Sequence, residues 1–338
     1  MKNIYFIINC GSNHKDIQTK GSGASELLFY MTAYKLSTFF KVTVFNRDAP
    51  VKIQNVTYLS LPDNMNPNIE NIHDSIIIVQ RDFYIAADLH KINPSNKYFV
   101  WSHDYLENDA SNFLKDYSYA EMNQYLSKNN IHLISVSNFH KNNILTKMPN
   151  VIINVIYNAL FPELYKTDVS ITNLRNKNNI VFASNWGKGL DKVLNIGQEY
   201  YKVNPDFKLV LMKPSYCEWQ PDFSNYPFVN CLGNITDKEE YCKIIKNSLC
   251  VLSTSYPETF GCVFAEALHL GVPVIGDNSI NAGFHEIIEK DYMCNFNKLE
   301  NVISKIEDIK KNNKNNKVRL NDIFYEKSVL HKWIKLLF

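Results

Sequence analysis

The stretch Pro257-Glu258-Thr259-Phe260-Gly261-Cys262-Val263-Phe264-Ala265-Glu266-Ala267 lies between two apolar runs, Leu249-Cys250-Val251-Leu252-Ser253 and Gly271-Val272-Pro273-Val274-Ile275. Both runs are short and unbroken, the pattern of strands buried on both faces. The segment between them reads as a helix, so the whole is a βαβ unit and its sheet is parallel. Glu258 stands at the turn and Glu266 in the helix, roughly 10 Å apart at ~1.5 Å per residue, with the positive helix N-terminus between them. Backbone N–H groups over Thr259, Phe260, Gly261 and Cys262 then suit a phosphate. A diphosphate there would have a sugar on one side and a ribose on the other, each within reach of one carboxylate. A plainer alternative, a capping acid followed by an exposed helical Glu, accounts for the same residue types equally well.

The alternation continues in both directions. Upstream, Ile180–Ala183, Phe207–Met212 and Phe228–Leu232 read as strands, with helices over Leu190–Val203 and Lys238–Lys246. Downstream, helices are expected over Phe284–Glu289 and Leu299–Lys311. The first half repeats the scheme, with strands at Ile4–Cys10, Val42–Phe45, Val56–Leu61, Ile76–Val79, Tyr98–Trp101, Leu133–Val136 and Ile152–Ile156. Its clearest helices are Ala24–Phe40 and Tyr119–Asn129. The expected fold class is therefore α/β, with two Rossmann-like, doubly wound domains facing across a cleft and ligand sites at the carboxyl ends of their strands.

The expected boundaries are 1–160 for the N-terminal domain, 161–178 for a polar linker containing Pro162, 179–320 for the C-terminal domain and 321–338 for a terminal helix. A solvated loop is expected over the Asn/Lys stretch 310–317. The amphipathic end, Val329 to Phe338, suits a membrane-surface helix or a helix packing back on the body, crossing to the N-terminal domain. Balanced charge favours the second.

Length and composition fit this plan. At 338 residues the chain holds about two domains, and 45% hydrophobic with 21% charged residues excludes extensive disorder. Net charge is +2, and each half is +1, with 14 basic against 13 acidic residues up to residue 160 and 22 against 21 beyond it. A nucleic-acid partner is therefore not expected. The seven Cys are odd in number and form no C-x-x-C pair, so reduced thiols in a cytoplasmic-type compartment are expected. The first apolar run, Ile4 to Ile8, is too short for a signal-peptide core and far below the ~20 residues of a membrane span. Gly21-x-Gly23 lacks the third small residue and the tight turn of a dinucleotide fingerprint. No D-x-D triplet and no H-x-x-x-H pair occurs, so no metal is expected.

Glu258 through Glu266 resembles the E-x7-E signature of retaining GT-B glycosyltransferases, specifically glycosyltransferase family 4 of the glycogen-synthase-like superfamily. The continuation Ala267-Leu268-His269-Leu270-Gly271-Val272-Pro273-Val274-Ile275 is similar to that family's usual run. Other blocks fall in the family's order. Gly21-Ser22-Gly23-Ala24-Ser25-Glu26 resembles its glycine-rich loop, and Trp101-Ser102-His103-Asp104 the segment presenting an active-site His. Phe182-Ala183-Ser184-Asn185-Trp186-Gly187-Lys188-Gly189 resembles the loop with a phosphate-binding Lys, and Leu232-Gly233-Asn234-Ile235-Thr236 the loop near the base. Two positions depart from the pattern. The Arg that commonly precedes the Lys is absent from Ser184-Asn185-Trp186, and the usual Asn-Gly after the last N-terminal strand is Asn158-Ala159.

The resemblance implies a metal-independent retaining transferase with no cofactor beyond its co-substrate, a UDP-, GDP-, ADP- or dTDP-linked sugar. A glycan or other hydroxyl would be the acceptor. Glu258, His103 and Lys188 are then the candidate catalytic residues. Donor contacts are implied for Gly21, Ser22, Gly23, Lys188, Ile235, Glu258, Thr259, Phe260, Gly261, Cys262 and Glu266, with Glu266 on the ribose. An epimerase or phosphorylase of the same fold and a non-catalytic sugar-nucleotide binder stand as alternatives. Near-neutral charge also disfavours a strongly basic membrane-docking face.

Overall fold

The computed structural model describes residues 2–8, 23–62, 67, 69–107, 118–165, 178–213, 221–312 and 318–338. The chain divides into two compact units, Met1–Ala159 with Lys327–Phe338, and Leu160–Glu326. Unit 1 holds β1 (Asn3–Ile7), α1 (Ala24–Leu36), β2 (Lys41–Asn46), β3 (Val51–Ile53), β4 (Val56–Ser60), β5 (Ile76–Gln80) and α2 (Phe83–Ile92). It continues with β6 (Lys97–Trp101), α3 (Tyr119–Lys128), β7 (His132–Ser135), α4 (Asn138–Lys147) and β8 (Ile153–Val155). The sheet order is β3-β4-β2-β1-β5-β6-β7-β8, parallel except for β3, which pairs antiparallel with β4 through Val51↔Tyr58. β5 is buried at every position, because helices cover both faces of a parallel sheet.

Three short elements of this unit escape the apolar pattern. β3 has only three residues, one of them Lys52. α2 is set by Asp82, whose side chain accepts from the N–H groups of Tyr84 and Ile85. α4 is set by Ser137, which accepts from His140 N–H. Capping of this kind starts a helix even where Asn-rich sequence gives weak propensity.

Unit 2 holds β9 (Asn179–Phe182), α5 (Leu190–Val203), β10 (Lys208–Leu211), β11 (Val229–Cys231), α6 (Lys238–Lys246), β12 (Cys250–Ser253), α7 (Cys262–His269), β13 (Val274–Asp277), β14 (Met293–Cys294) and α8 (Leu299–Lys311). The order β11-β10-β9-β12-β13-β14 is parallel throughout. Phe182, Trp186, Tyr200, Phe207 and Phe228 pack in one of its cores. The helix expected over Phe284–Glu289 is only a 3-10 turn, Gly283–Glu286. Of the expected linker, 166–177 lie outside the described residues, while Pro162–Tyr165 form a 3-10 turn with Tyr165 buried. Of the expected Asn/Lys loop, 313–317 also lie outside them.

The last helix, α9 (Glu326–Leu337), packs on the body. Its buried residues Val329, Trp333 and Leu337 repeat at a spacing of four, one stripe of a helix. The Trp333 ring meets Trp101 edge-on at 4.8 Å, and Lys2 Nζ donates to the carbonyls of Leu337 (3.2 Å) and Phe338 (2.9 Å). The apolar face is thus spent on packing within unit 1. Among the described residues no helix is long and apolar enough to cross a membrane.

Candidate functional site

Among the parallel strands of each unit the order reverses once, between β1 and β5 in unit 1 and between β9 and β12 in unit 2. Loops leaving two such neighbours diverge and open a crevice at their carboxyl ends. In unit 2, the Asn185 side chain accepts from Gly187 N–H at 2.9 Å, and Trp186 is buried against Phe223 at 5.8 Å. That turn delivers Lys188 to the crevice, with its Nζ 3.3 Å from Glu258 Oε2. Thr254 Oγ1 donates to Gly189 O at 3.0 Å, tying the loop after β9 to the loop after β12.

Glu258 is half-buried, and its Oε1 accepts from Phe260 N–H at 3.3 Å. That N–H precedes the helix N-cap Gly261, so Glu258 does not cap the helix as the plainer alternative expects, and its other oxygen meets Lys188. A second contact braces this turn. Gly283 N–H donates to Glu258 O at 2.8 Å, and a Cβ on Gly283 would fall 2.1 Å from Thr259 O. Only glycine permits that approach. α7 begins behind Gly261, whose φ of +105° is the left-handed region, and no side chain caps it. Thr259 and Cys262 are part-exposed there, while Phe260 is buried against Phe324 at 5.8 Å.

Glu266 is not an exposed helical Glu. It is buried; Tyr165 Oη donates to its Oε1 at 2.6 Å and Tyr241 Oη to its Oε2 at 2.5 Å. Lys238 Nζ lies 3.4 Å from Oε1 and 4.4 Å from the centroid of each tyrosine ring. Burial first, and then the Glu266 charge, push both phenols well above their usual value. A carboxylate has about four acceptor positions, and among the described residues three of them are filled. Ile235 is half-buried in the loop between β11 and α6.

Sequence reasoning missed Tyr165, Lys238 and Tyr241, because only folding brings the turn at Pro162–Tyr165 and α6 against α7. It also missed the pair Lys192–Asp277, at 2.8 Å with Asp277 fully buried. Burial raises the Asp277 carboxyl, but Lys192, Ser279 and the Phe296 N–H outweigh it and hold it below its usual value. No charged side chain occupies Ser184–Trp186, and Lys192 and Lys238 are each paired to a carboxylate.

In unit 1, Gly21 and Ser22 lie outside the described residues. Gly23 precedes α1, and Glu26 folds back so that its Oε2 would lie 2.2 Å from a Cβ on Gly23. His103, after β6, is buried with its ring 4.9 Å from Trp101. Burial, then the Arg81 guanidinium and His140, hold it well below its usual value, so it is a neutral imidazole. His140 Nε2–H donates to Asp104 O at 2.9 Å, and burial pushes its pKa down to about 4. The structure therefore gathers Lys188, Glu258 and the 259–262 turn into one site in unit 2. Gly23 and His103 belong to the edge of the other sheet. Among the described residues no three His, Cys, Asp or Glu side chains cluster to hold a metal.

Residues 226–323 match the family model described as Glycosyl transferases group 1. This stretch contains Ile235, Glu258 and Glu266 but not Lys188. Comparison with curated proteins finds no match. Among solved structures the chain is similar to sucrose-phosphate synthase from Thermosynechococcus elongatus, at 12% identity and a TM-score of 0.71 over 99% of this chain and 98% of that one. HepE of Anabaena in complex with UDP and glucose is similar at 17% identity and a TM-score of 0.67, over 100% and 99%. An E. coli structure described as trehalose-6-phosphate bound with UDP-2-fluoro glucose is similar at 13% identity and 0.71, over 99% of each. At these identities the likeness establishes the fold, and the two parallel α/β units are of the GT-B type.

Proposed function

We propose that this chain is a glycosyltransferase moving a sugar from a nucleotide-diphosphate donor to a hydroxyl of a glycan or related acceptor. In this reading it is a family 4 enzyme, retaining and metal-independent. The observation that carries the reading is the Lys188–Glu258 pair at the switch point of unit 2, beside a helix start that no side chain caps. A cation, a carboxylate and helix-start N–H groups suit the phosphates and hydroxyls of a sugar diphosphate. The match of residues 226–323 to group 1 glycosyl transferases supports it.

Lys188 leaves Glu258 for the diphosphate and offsets charge as the glycosyl bond breaks, aided by the start of α7. Glu258 then accepts from sugar hydroxyls and orients the anomeric carbon. The bond from that carbon to the phosphate oxygen breaks, and a bond to the acceptor oxygen forms on the same face. The acceptor proton passes to the departing phosphate oxygen, so no side chain acts as a covalent nucleophile. Glu266 accepts from the ribose, and Ile235 lies beside the base. The family resemblance further implies donor-side roles for His103, Gly21, Ser22 and Gly23, of which Gly21 and Ser22 lie outside the described residues.

A panel of UDP-, GDP-, ADP- and dTDP-sugars, with and without glycan acceptors, tests the reading. One donor at 100 times its dissociation constant should stabilise the protein by ~2.7 kcal/mol. It should be hydrolysed slowly alone and transferred with its anomeric configuration kept, as read by proton NMR, with EDTA leaving the rate unchanged. Epimerised donor, or phosphate-dependent cleavage without acceptor, would make the protein an epimerase or phosphorylase instead. Binding without hydrolysis or transfer would make it a sugar-nucleotide binder.

A further inference from the structure

Asp277 ends β13 with a carboxylate that the donor contacts proposed above leave unused. It is fully buried, and α5, the loop after β13 and the segment after β14 all send donors to it. Lys192 Nζ donates to Oδ2 at 2.8 Å, while Oδ1 accepts from Ser279 N–H at 2.9 Å, Ser279 Oγ at 2.6 Å and Phe296 N–H at 3.2 Å. These donors fill the roughly four acceptor positions of a carboxylate, so Asp277 holds the protein and not a ligand. Its backbone carbonyl accepts as well, from His285 Nε2–H at 3.0 Å. His285 belongs to the 3-10 turn Gly283–Glu286, and Gly283 N–H donates to Glu258 O at 2.8 Å. On the other side, Lys192 stands in the first turn of α5, four positions after Lys188. The contacts form a closed ring: Lys188, Glu258, Gly283, His285, Asp277, Lys192, and back through the start of α5 to Lys188. Every member belongs to unit 2.

We infer that Asp277 is a positioning residue of the candidate site: by tying the start of α5 to the loop after β13, it sets the spacing between Lys188 and Glu258. Burying a carboxylate is costly, and an apolar residue would fill a fully buried strand end more cheaply. What the carboxylate supplies is direction, because its hydrogen bonds hold separate segments in one fixed arrangement. Sheet order gives the position its leverage. Lys188 follows β9, Glu258 follows β12 and Gly283 follows β13, and β12 lies between the other two. Asp277 thus reaches the site from one flank and, through Lys192, from the other. The close seat of Gly283 on Thr259 O passes any shift of its loop to the Glu258 turn. That the spacing serves a sugar diphosphate rests on the transfer reading above; the ring of contacts does not.

The full chain and its variants are titrated by calorimetry with UDP, GDP, ADP and dTDP and with the matching monophosphates. Asp277→Asn keeps an acceptor for Ser279 and Phe296 but loses the charge facing Lys192. The double variant Lys192→Met/Asp277→Asn removes both charges together, so that no buried charge is left unpaired where the single change fails to fold. Melting curves identify the folded variants. In each of them the preferred diphosphate should bind about tenfold more weakly and its monophosphate less than about twofold, because Lys188 is the group displaced. The kcat/KM for transfer should fall by a similar factor, about tenfold. In a Lys188→Ala background, Asp277→Asn should weaken the diphosphate by less than about twofold more, since the spacing has already lost one end. Equal loss for mono- and diphosphate, full additivity with Lys188→Ala, or unchanged affinity in the folded double variant overturns the proposal. The selective loss without transfer between any donor and acceptor upholds Asp277 and sinks the transfer reading. Transfer untouched by the variants sinks this proposal alone, and an unaltered chain that binds no nucleotide sinks both.

Discussion

Glu258 and Lys188 hold each other at 3.3 Å, which keeps both ready for a ligand that offers each a better partner. Lys188→Ala and Glu258→Ala should each lower transfer by about 10²-fold or more with the melting temperature nearly kept, since both are partly exposed. Near-normal turnover in either variant removes its assigned role. Glu266 presents a different case. Three of its acceptor positions are taken by Tyr165, Tyr241 and Lys238. Tyr165→Phe removes a donor to a buried carboxylate and should cost about 1.5–3 kcal/mol in a denaturant titration. The same change frees an acceptor on Oε1, so the preferred nucleoside diphosphate should bind several-fold tighter. Weaker nucleotide binding with intact stability would mean that Tyr165, not Glu266, contacts the ribose. The two glutamates were legible in the sequence as residue types at a spacing. The phenols around Glu266 were not, because nothing local in Tyr165 or Tyr241 marks a partner 101 or 25 positions away.

At the scale of elements, the turn before α7 depends on the loop after β13. Gly283→Ala would drive a methyl into the Thr259 carbonyl and should cost about 1–3 kcal/mol while displacing the Glu258 turn. Activity should fall further than stability explains; a variant with full turnover would show that the turn tolerates movement. α4 carries a pH response. His140 is buried neutral with its pKa pushed down to about 4, against about 6.5 unfolded. Its folded-state value is depressed, so its contribution is complete above about pH 6.5 and is lost as pH falls toward 4, by about 3 kcal/mol at most. His103 acts in the same direction. The protein should therefore melt lower at about pH 5 than at about pH 7.5, and His140→Gln should flatten that difference. Equal slopes in both proteins would show that other groups dominate. The long strands and amphipathic helices were readable from periodicity, whereas α2 and α4 depend on Asp82 and Ser137, single caps that pattern counting passes over.

At the scale of the molecule, the chain returns to its beginning: α9 places Trp333 on Trp101 in unit 1 after unit 2 is complete. Trp333→Ala should destabilise unit 1 by about 3–5 kcal/mol in chemical denaturation. A loss confined to unit 2 would contradict that packing. The sequence by itself determined two parallel α/β sheets, the βαβ unit around Glu258 and Glu266, and the absence of a strongly charged half. These are consequences of local periodicity and composition, which need no knowledge of distant contacts. Tertiary structure alone decided where each sheet reverses its order, and so which loops meet: Lys188 with Glu258, and Arg81 with Glu26 and Asp104. It also decided that Glu266 is enclosed rather than exposed. The physical reason is common to all of these. Strand order joins residues far apart in the chain, and a side chain's partners follow from that order, not from its neighbours in sequence.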